Sequence, residues 1–269
     1  MSVTFTLQEA ADELGVHYMT AYRYVRLGLL AASKVGSSWQ VENAAIAAFR
    51  DGSAVGPVKP GESAPWVERL EARLVECDAQ GAWGVVEAAM TSGAELEYVY
   101  LDMLSGAMVN IGDRWASGEL DVAIEHQATV IVMRIIGRLG SRCVRRGRAL
   151  GSLIVGAPMG EYHALPTAIL GDMLRLRGWD VVDLGANTPS GSFLHAAART
   201  PELRAVGFSA TYNEHLGALS ECCSVIKQEF PDVLVVVGGP AIRDERQALA
   251  LGADAMAVSP DSLHKLLTT

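Results

Sequence analysis

Short apolar segments alternate with helical segments from about residue 151 to the end of the chain, and this alternation restricts the fold more than any other feature. Strands are expected near 153–157, 180–184, 204–208, 233–237 and 255–258. Helices are expected after them, near 166–177, 189–199, 213–229, 243–250 and 260–267. Parallel strands need crossover connections of this length, which are usually helical. The pattern therefore predicts an α/β domain with a flavodoxin-like, doubly wound, five-stranded parallel sheet.

The loop after the first strand contains the candidate site. His163 follows the carboxyl end of that strand, where sheets of this type bind ligands. Glu161 is close enough to hydrogen-bond one ring nitrogen while the other nitrogen faces a metal. Pro166 fits the first turn of the next helix, because its missing N–H would have no partner there. By itself, a loop histidine is more often structural or merely exposed than a metal ligand, and His195, His215 and His264 are expected at exposed helix positions.

Small and hydroxylated residues end the next three strands. They occur in the stretch 183–189, in Ser209-Ala-Thr211 and in Gly238-Gly239-Pro240. Such residues leave room for something large and flat to insert among the strand ends. The sequence therefore predicts a ligand slot at the carboxyl edge of the sheet.

This loop and these strand ends resemble the cobalamin-binding domain of methionine synthase, corrinoid carrier proteins and cobalamin-dependent regulators. The resemblance implies that His163 is the lower cobalt ligand and that Glu161 is its hydrogen-bonding partner. It also implies a slot for the nucleotide tail, lined by Ser209 and Thr211 with a far wall of Gly238 and Gly239. This chain departs from the family pattern in having Glu161 where aspartate is commoner and Pro166 where glycine is usual.

Length and composition indicate a globular protein of several domains. The 269 residues fit two or three domains, and 50% are apolar while 20% are charged. The four cysteines show no C-x-x-C spacing, so neither a zinc site nor a disulfide framework is expected. The start lacks a signal-peptide pattern, and no apolar run reaches the length of a membrane span. We expect a reduced, cytoplasmic protein that does not enter a membrane.

Residues 1–52 predict a winged helix-turn-helix domain. Thr6 and Glu9 form a capping-box pattern ahead of a first helix, and Gly15 starts a turn into a second helix that Gly28 ends. Residues 34–41 predict a strand, turn and strand. Helix, turn, helix and wing form a DNA-binding unit whose second helix enters the major groove. A small helical protein-interaction domain is the alternative.

Charge and local sequence refine this prediction. The net charge of −9 argues against nucleic acid, but residues 1–52 contain four basic and five acidic residues, and three of the basic ones lie between Arg23 and Lys34. The sequence at Glu9–Val16, Thr20–Arg23 and 28–30 resembles excisionase-type and MerR-type domains. That resemblance implies that operator DNA is contacted by Tyr18, Thr20, Arg23 and Arg26, with Lys34 on phosphate.

The middle of the chain predicts a linker and a helical cap. Residues 53–65 are rich in Gly and Pro and read as a flexible linker. Residues 66–148 predict a four-helix bundle, with helices near 66–77, 79–92, 94–110 and 119–146. A dimerisation module is the alternative for this bundle. The cobalamin-binding domain then occupies 149–269.

One motif in the bundle is more specific. Trp115, expected in a loop, is followed after nine residues by Glu125-His126 on the next helix. Routine packing could explain this spacing, but ahead of a cobalamin-binding domain it resembles the cap of the cobalamin-dependent photoreceptor repressors. The resemblance implies that Trp115 covers the upper corrin face and the adenosyl group, and that Glu125 and His126 contact the ligand. That family typically has a histidine at the position of Ala116.

The expected function is a cobalamin-binding transcriptional regulator rather than an enzyme. Adenosylcobalamin is the expected cofactor, with methylcobalamin as the alternative, and its photolysis is expected to change the oligomeric state and operator DNA binding. A homodimer or homotetramer is expected. Two alternatives remain open, namely a light-independent cobalamin sensor and a corrinoid carrier protein for methyl transfer.

Overall fold

The computed structural model describes residues 4–26, 30–35, 38–50 and 65–268. The chain divides into two compact units, Met1–Trp66 and Val67–Thr269. The expected linker, the expected helix end at Gly28 and the turn of the wing at 36–37 lie outside the described residues, except for Pro65 at the end of the linker. The finer domain boundaries at 52 and 148 stay predictions.

The first unit contains the predicted helix-turn-helix and hairpin. Its elements are β1 (Thr4–Thr6), α1 (Leu7–Leu14), α2 (Tyr18–Arg26), β2 (Ala32–Val35), β3 (Ser38–Glu42) and α3 (Asn43–Arg50). The Thr6 hydroxyl accepts from the Glu9 N–H at 3.3 Å, and the Thr6 N–H donates to the Glu9 carboxylate at 2.8 Å, so the predicted capping box is present. The sheet order is β1-β3-β2, antiparallel. Strand β1 and helix α3 were not predicted.

Four helical segments begin the second unit. They are α4 (Trp66–Val75), α5 (Ala79–Thr91), a third run made of α6 (Leu96–Tyr98), a π-helix (Val99–Leu104) and α7 (Ser105–Ala116), and then α8 (Val122–Cys143). Their inward faces bury Leu70, Val86, Met103, Ile111 and Ile135. The four-helix prediction is confirmed. In the described part of the chain, no helix has the length and apolar character that crossing a membrane requires.

The prediction that Trp115 lies in a loop is wrong. Helix α7 continues through Gly112 to Ala116, so Trp115 lies in its last turn. A glycine costs a helix interior only about 1 kcal/mol, which the surrounding buried contacts offset. The helix ends instead near Gly118, whose φ of 79° is left-handed.

A five-stranded parallel sheet completes the second unit. Its strands are β4 (Ser152–Gly156), β5 (Asp180–Asp183), β6 (Leu203–Ser209), β7 (Leu234–Gly238) and β8 (Ala255–Met256), in the spatial order β5-β4-β6-β7-β8. The intervening helices are α9 (Leu165–Leu176), α10 (Ser190–Arg199), a 3-10 turn (Asn213–His215), α11 (Leu216–Glu229), α12 (Glu245–Ala250) and α13 (Pro260–Thr268). The flavodoxin-like prediction is confirmed. The chain order reverses between β4 and β6, which opens a crevice at their carboxyl ends.

Buried polar contacts join the bundle to the sheet domain. The Tyr100 hydroxyl, in the π-helix, donates to Asp172 on α9 at 2.6 Å. Arg175 donates to the same carboxylate at 2.8 Å and to the carbonyl of Val181 in β5 at 2.7 Å. Because a buried carboxylate needs partners to offset its lost hydration, these contacts fix how the bundle lies on α9.

Candidate cofactor-binding site

Glu161 and His163 form a preorganised pair in the loop between β4 and α9. The Glu161 side chain is only 1% exposed, and one of its oxygens lies 2.5 Å from His163 Nδ1. The same oxygen accepts the backbone N–H of His163 at 3.1 Å. The other oxygen accepts the backbone N–H of Thr211, just after β6, at 2.6 Å. The carboxylate therefore links the two loops on either side of the switch point.

The charges of this pair depend on each other. Burial raises the pKa of Glu161, but hydrogen bonds from His163 and Thr211 outweigh it and lower that pKa to about 2. The hydrogen bond to Glu161 raises the pKa of His163, burial opposes this, and the negative charge of Glu125 adds to the increase. Glu161 therefore stays charged at ordinary pH and holds a proton on Nδ1.

His163 has the arrangement of a metal-binding imidazole. Its Nδ1 is held by a carboxylate, while Nε2 has no hydrogen-bond partner among the residues that the structure describes. The side chain is 41% exposed, so Nε2 can be reached from outside. A carboxylate on the far nitrogen fixes the tautomer and strengthens the imidazole as a ligand. The geometry therefore fits the metal of a cofactor at the carboxyl edge of the sheet.

Three neighbours of this loop were not predicted as site residues. Asn187 adopts a left-handed φ of 53°, accepts the N–H of Gly160 at 2.8 Å and donates its own N–H to the carbonyl of Glu161 at 2.7 Å. The sequence could have indicated this role, because asparagine is a common non-glycine residue in the left-handed conformation. The Tyr212 ring lies edge-on to His163, with 5.3 Å between centroids.

The third neighbour, His215, overturns an expectation. It was expected at an exposed helix position, but its side chain is only 16% exposed. A Cβ placed on Gly160 would lie 3.1 Å from His215 Nδ1, so glycine gives the histidine room. Long-range packing of this kind leaves no periodic signal in the sequence. His195 is exposed as expected, whereas His264 is half-buried and accepts a hydrogen bond from the Trp179 indole at 3.0 Å.

The predicted slot residues lie at adjacent strand ends. Ser209 is the last residue of β6 and pairs in register with Gly238 at the end of β7. A Cβ on Gly239 would lie 2.4 Å from the carbonyl oxygen of Ala210, and one on Gly238 would lie 2.5 Å from that of Ala257. Close backbone approach therefore requires both glycines whether or not a ligand is bound. The roles of Ser209, Thr211 and the glycines in a slot stay predictions.

The predicted cap residues lie on α7 and at the start of α8. Trp115 is partly exposed, and Glu125 accepts a hydrogen bond from Thr129 at 2.9 Å. His126 is largely exposed, with Nε2 3.7 Å from Glu125. The negative charge of Glu125 adds a small increase to the pKa of His163, after the larger effects of Glu161. Contact of these three side chains with a ligand stays a prediction.

The predicted DNA contacts belong to the first unit. Tyr18 and Thr20 are half-buried in α2, and the Tyr18 ring stacks on Tyr22 with 6.4 Å between centroids. Arg23 and Arg26 belong to the same helix and Lys34 to β2, but their side chains lie outside the described part of the structure. Contact of all five residues with DNA stays a prediction.

Comparison with known families identifies the second unit. Residues 151–262 match a family described as B12 binding domain, and residues 66–139 match a second family with the same description. Together the two matches span more than half of the chain. The second unit therefore contains two regions that match B12-binding families. Residues 4–53 match a helix-turn-helix domain, so the predicted combination of domains is confirmed.

Relatives of this chain include a transcriptional repressor and a corrinoid protein. It is 30% identical over 137 residues to the HTH-type transcriptional repressor CarA of Myxococcus xanthus, which covers 50% of this chain and 46% of the repressor. It is 23% identical over 134 residues to trimethylamine corrinoid protein 1 of Methanosarcina acetivorans, covering 49% of this chain and 62% of that protein. This chain therefore spans less than two thirds of either relative.

A solved structure shares the fold. The Methanosarcina barkeri monomethylamine corrinoid protein aligns with a TM-score of 0.65 and 18% identity, over 76% of this chain and 97% of that one. At this level of identity the likeness shows the fold alone. A cobalamin-type cofactor is thus supported by the family matches, and the geometry of His163 fits its metal.

Proposed function

We propose that this chain is a transcriptional regulator that binds operator DNA according to the state of a bound cobalamin. The observation that carries the proposal is the presence, in one chain, of a helix-turn-helix domain followed by two B12-binding regions. A sensor needs a ligand site and an output domain, and this chain contains candidates for both. We infer a regulatory rather than a catalytic role.

The loop after β4 would hold the cobalt from below. His163 offers Nε2 as the lower ligand, and Glu161 sets the direction of the ring through Nδ1. The strand ends at Ser209, Thr211 and Gly238-Gly239 would admit the nucleotide tail. When bound, adenosylcobalamin supplies a light-sensitive cobalt–carbon bond, and the chain supplies position and polarity around it.

The helical cap would respond to which group is bound on the upper face of the corrin. By the resemblance, Trp115, Glu125 and His126 would contact the adenosyl group or, as the alternative, a methyl group. A ligand can move the cap only through contacts that differ between two states. Loss of the adenosyl group would remove contacts to Trp115, which supports a light-dependent output. Ala116 has no ligand atom, so no side chain at that position can bind cobalt from above.

Assembly into oligomers is supported by an arginine surface, which we define as Arg134, Arg138, Arg142, Arg145, Arg146 and Arg148. All six are exposed, and no Asp or Glu occurs from 126 to 160. Of these six arginines, only Arg148 has an ion-pair partner among the described residues, namely Glu202 at 3.4 Å.

This surface fits a partner with acidic character. Arg138 lies over the Trp83 ring, 5.0 Å from its centroid, which holds the guanidinium in place. Protein interfaces are enriched in Arg and Met and depleted in Lys, Asp and Glu, and the exposed Val130 and Met133 lie just before the arginines. Since the whole chain has a net charge of −9, a second copy offers acidic surface to these arginines.

A corrinoid carrier for methyl transfer is the second candidate. Sequence similarity to trimethylamine corrinoid protein 1, at 23% identity over 134 residues, favours it. The helix-turn-helix domain argues against it, because a carrier does not need one. A light-independent cobalamin sensor is the third candidate.

One experiment separates the three. The purified chain is loaded with adenosylcobalamin, its absorption spectrum is recorded before and after green light, and retardation of the DNA upstream of its own gene is measured in both states. A regulator that senses light should change its DNA affinity on illumination. Binding that depends on cobalamin but not on light indicates the light-independent sensor. A coloured protein that never retards DNA indicates the carrier.

A further inference from the structure

The segment after β6 contacts the loop that contains His163 at three successive points. The Thr211 N–H donates to Glu161 at 2.6 Å. The Tyr212 ring lies edge-on to the His163 ring, with 5.3 Å between centroids and 67° between planes. The third point is His215, whose ring lies next to Gly160. The two segments leave neighbouring strands, so the sheet itself brings them together.

We propose that Tyr212 is a positioning residue for the imidazole of His163 and sets the direction of Nε2 toward the cobalt. This inference rests on the proposed ligation by His163. The hydrogen bond to Glu161 fixes Nδ1 but leaves the ring plane free to tilt about that contact. An edge contact from a second aromatic ring restricts the tilt, because aromatic pairs favour defined edge-to-face geometry.

Tyr212 is itself held in place on both sides. The preceding residue is bound to Glu161, and the carbonyl of Tyr212 accepts the N–H of His215 at 3.2 Å. The ring also lies edge-on to His215, at 6.5 Å between centroids. A group that orients a metal ligand must have a fixed position of its own, and these contacts supply it.

Tyr162 provides a matched control. It is the residue directly before His163, and its side chain is 74% exposed, whereas Tyr212 is 44% exposed. The Tyr212 ring contacts the ring of His163, whereas Tyr162 makes no ring contact with any described residue. If mere aromatic bulk near the cofactor mattered, both tyrosines would matter. If positioning of the imidazole matters, only Tyr212 should.

The test uses the full chain loaded with adenosylcobalamin. Tyr212→Leu should weaken cobalamin binding by about 2- to 10-fold, as expected for one aromatic pair, and should add a spectral component without histidine ligation. Tyr212→Phe keeps the ring edge and should restore the wild-type spectrum. Tyr162→Leu should behave as wild type. Tyr212→Gln carries the same expectation and replaces the leucine variant if that variant does not fold.

An unchanged spectrum and affinity in Tyr212→Leu, or an equal change in Tyr162→Leu, would overturn the assignment. His163→Ala separates this failure from failure of the proposed function. If His163→Ala keeps the wild-type spectrum, the ligation itself is wrong. If His163→Ala loses it while Tyr212→Leu does not, only the role of Tyr212 is wrong.

Discussion

The hydroxyl of Tyr100 lies 2.6 Å from a carboxylate oxygen of Asp172, and both side chains are buried where the helical bundle meets the sheet domain. Tyr100→Phe removes one donor from a carboxylate that keeps Arg175 as its other partner. We expect a loss of about 1–3 kcal/mol in the free energy of unfolding, measured by urea denaturation of the cofactor-free protein. Tyr162→Phe, which removes an exposed hydroxyl, should change nothing. Equal stabilities of the two variants would contradict this role for Asp172.

His163→Ala tests the lower ligand directly. The free Nε2 and the carboxylate on Nδ1 predict that cobalamin binding weakens by at least the 10- to 100-fold expected for loss of an outer partner. The absorption spectrum of the bound cofactor should change to one without histidine ligation. His195→Ala, at an exposed position of α10, is the control. A His163→Ala protein with wild-type spectrum and affinity would refute the assignment.

Replacing three residues of the arginine surface tests the assembly. The triple change Arg134→Gln, Arg142→Gln and Arg146→Gln should weaken self-association about tenfold in sedimentation at low salt, because three exposed charges lose their partners. The control removes three exposed arginines elsewhere, Arg199, Arg243 and Arg246. A wild-type protein that sediments as a monomer with and without adenosylcobalamin would exclude the assembly. Equal effects of the two triple variants would exclude this surface.

Ala116→His tests the upper face. The wild-type chain has no ligand atom at this position, so after green light the cobalt should not gain a second histidine from it. The Ala116→His variant should give a stable bis-histidine absorption spectrum after illumination. Ser117→His, one residue further along, is the matched control and should not. A tight bis-histidine product in the wild type would mean that another histidine, such as His126, reaches the cobalt.

The sheet and the ligand loop could be predicted because their signals are local. Apolar runs and turn residues mark the five strands, and Glu161 and His163 are two residues apart in one loop. The length of the third helical run could not be predicted, because tertiary packing outweighs the weak helix preference of Gly112. The contact of Tyr212 with His163 joins residues 49 apart, so only the assembled sheet reveals it.

The DNA affinity of the full chain in different cobalamin states is the most direct test of the central claim. Fluorescence anisotropy with the DNA upstream of its own gene would compare the cofactor-free protein, the adenosylcobalamin-loaded protein in the dark, and the same protein after green light. Coupling free energies between ligand sites typically change affinity about 5- to 150-fold. We predict that the DNA affinity differs by a factor within that range between at least two of the states. The Arg23→Ala variant should show no such difference, because it should not bind the DNA in any state. Equal affinity in all three states, with cobalamin bound as judged by its spectrum, would contradict the account.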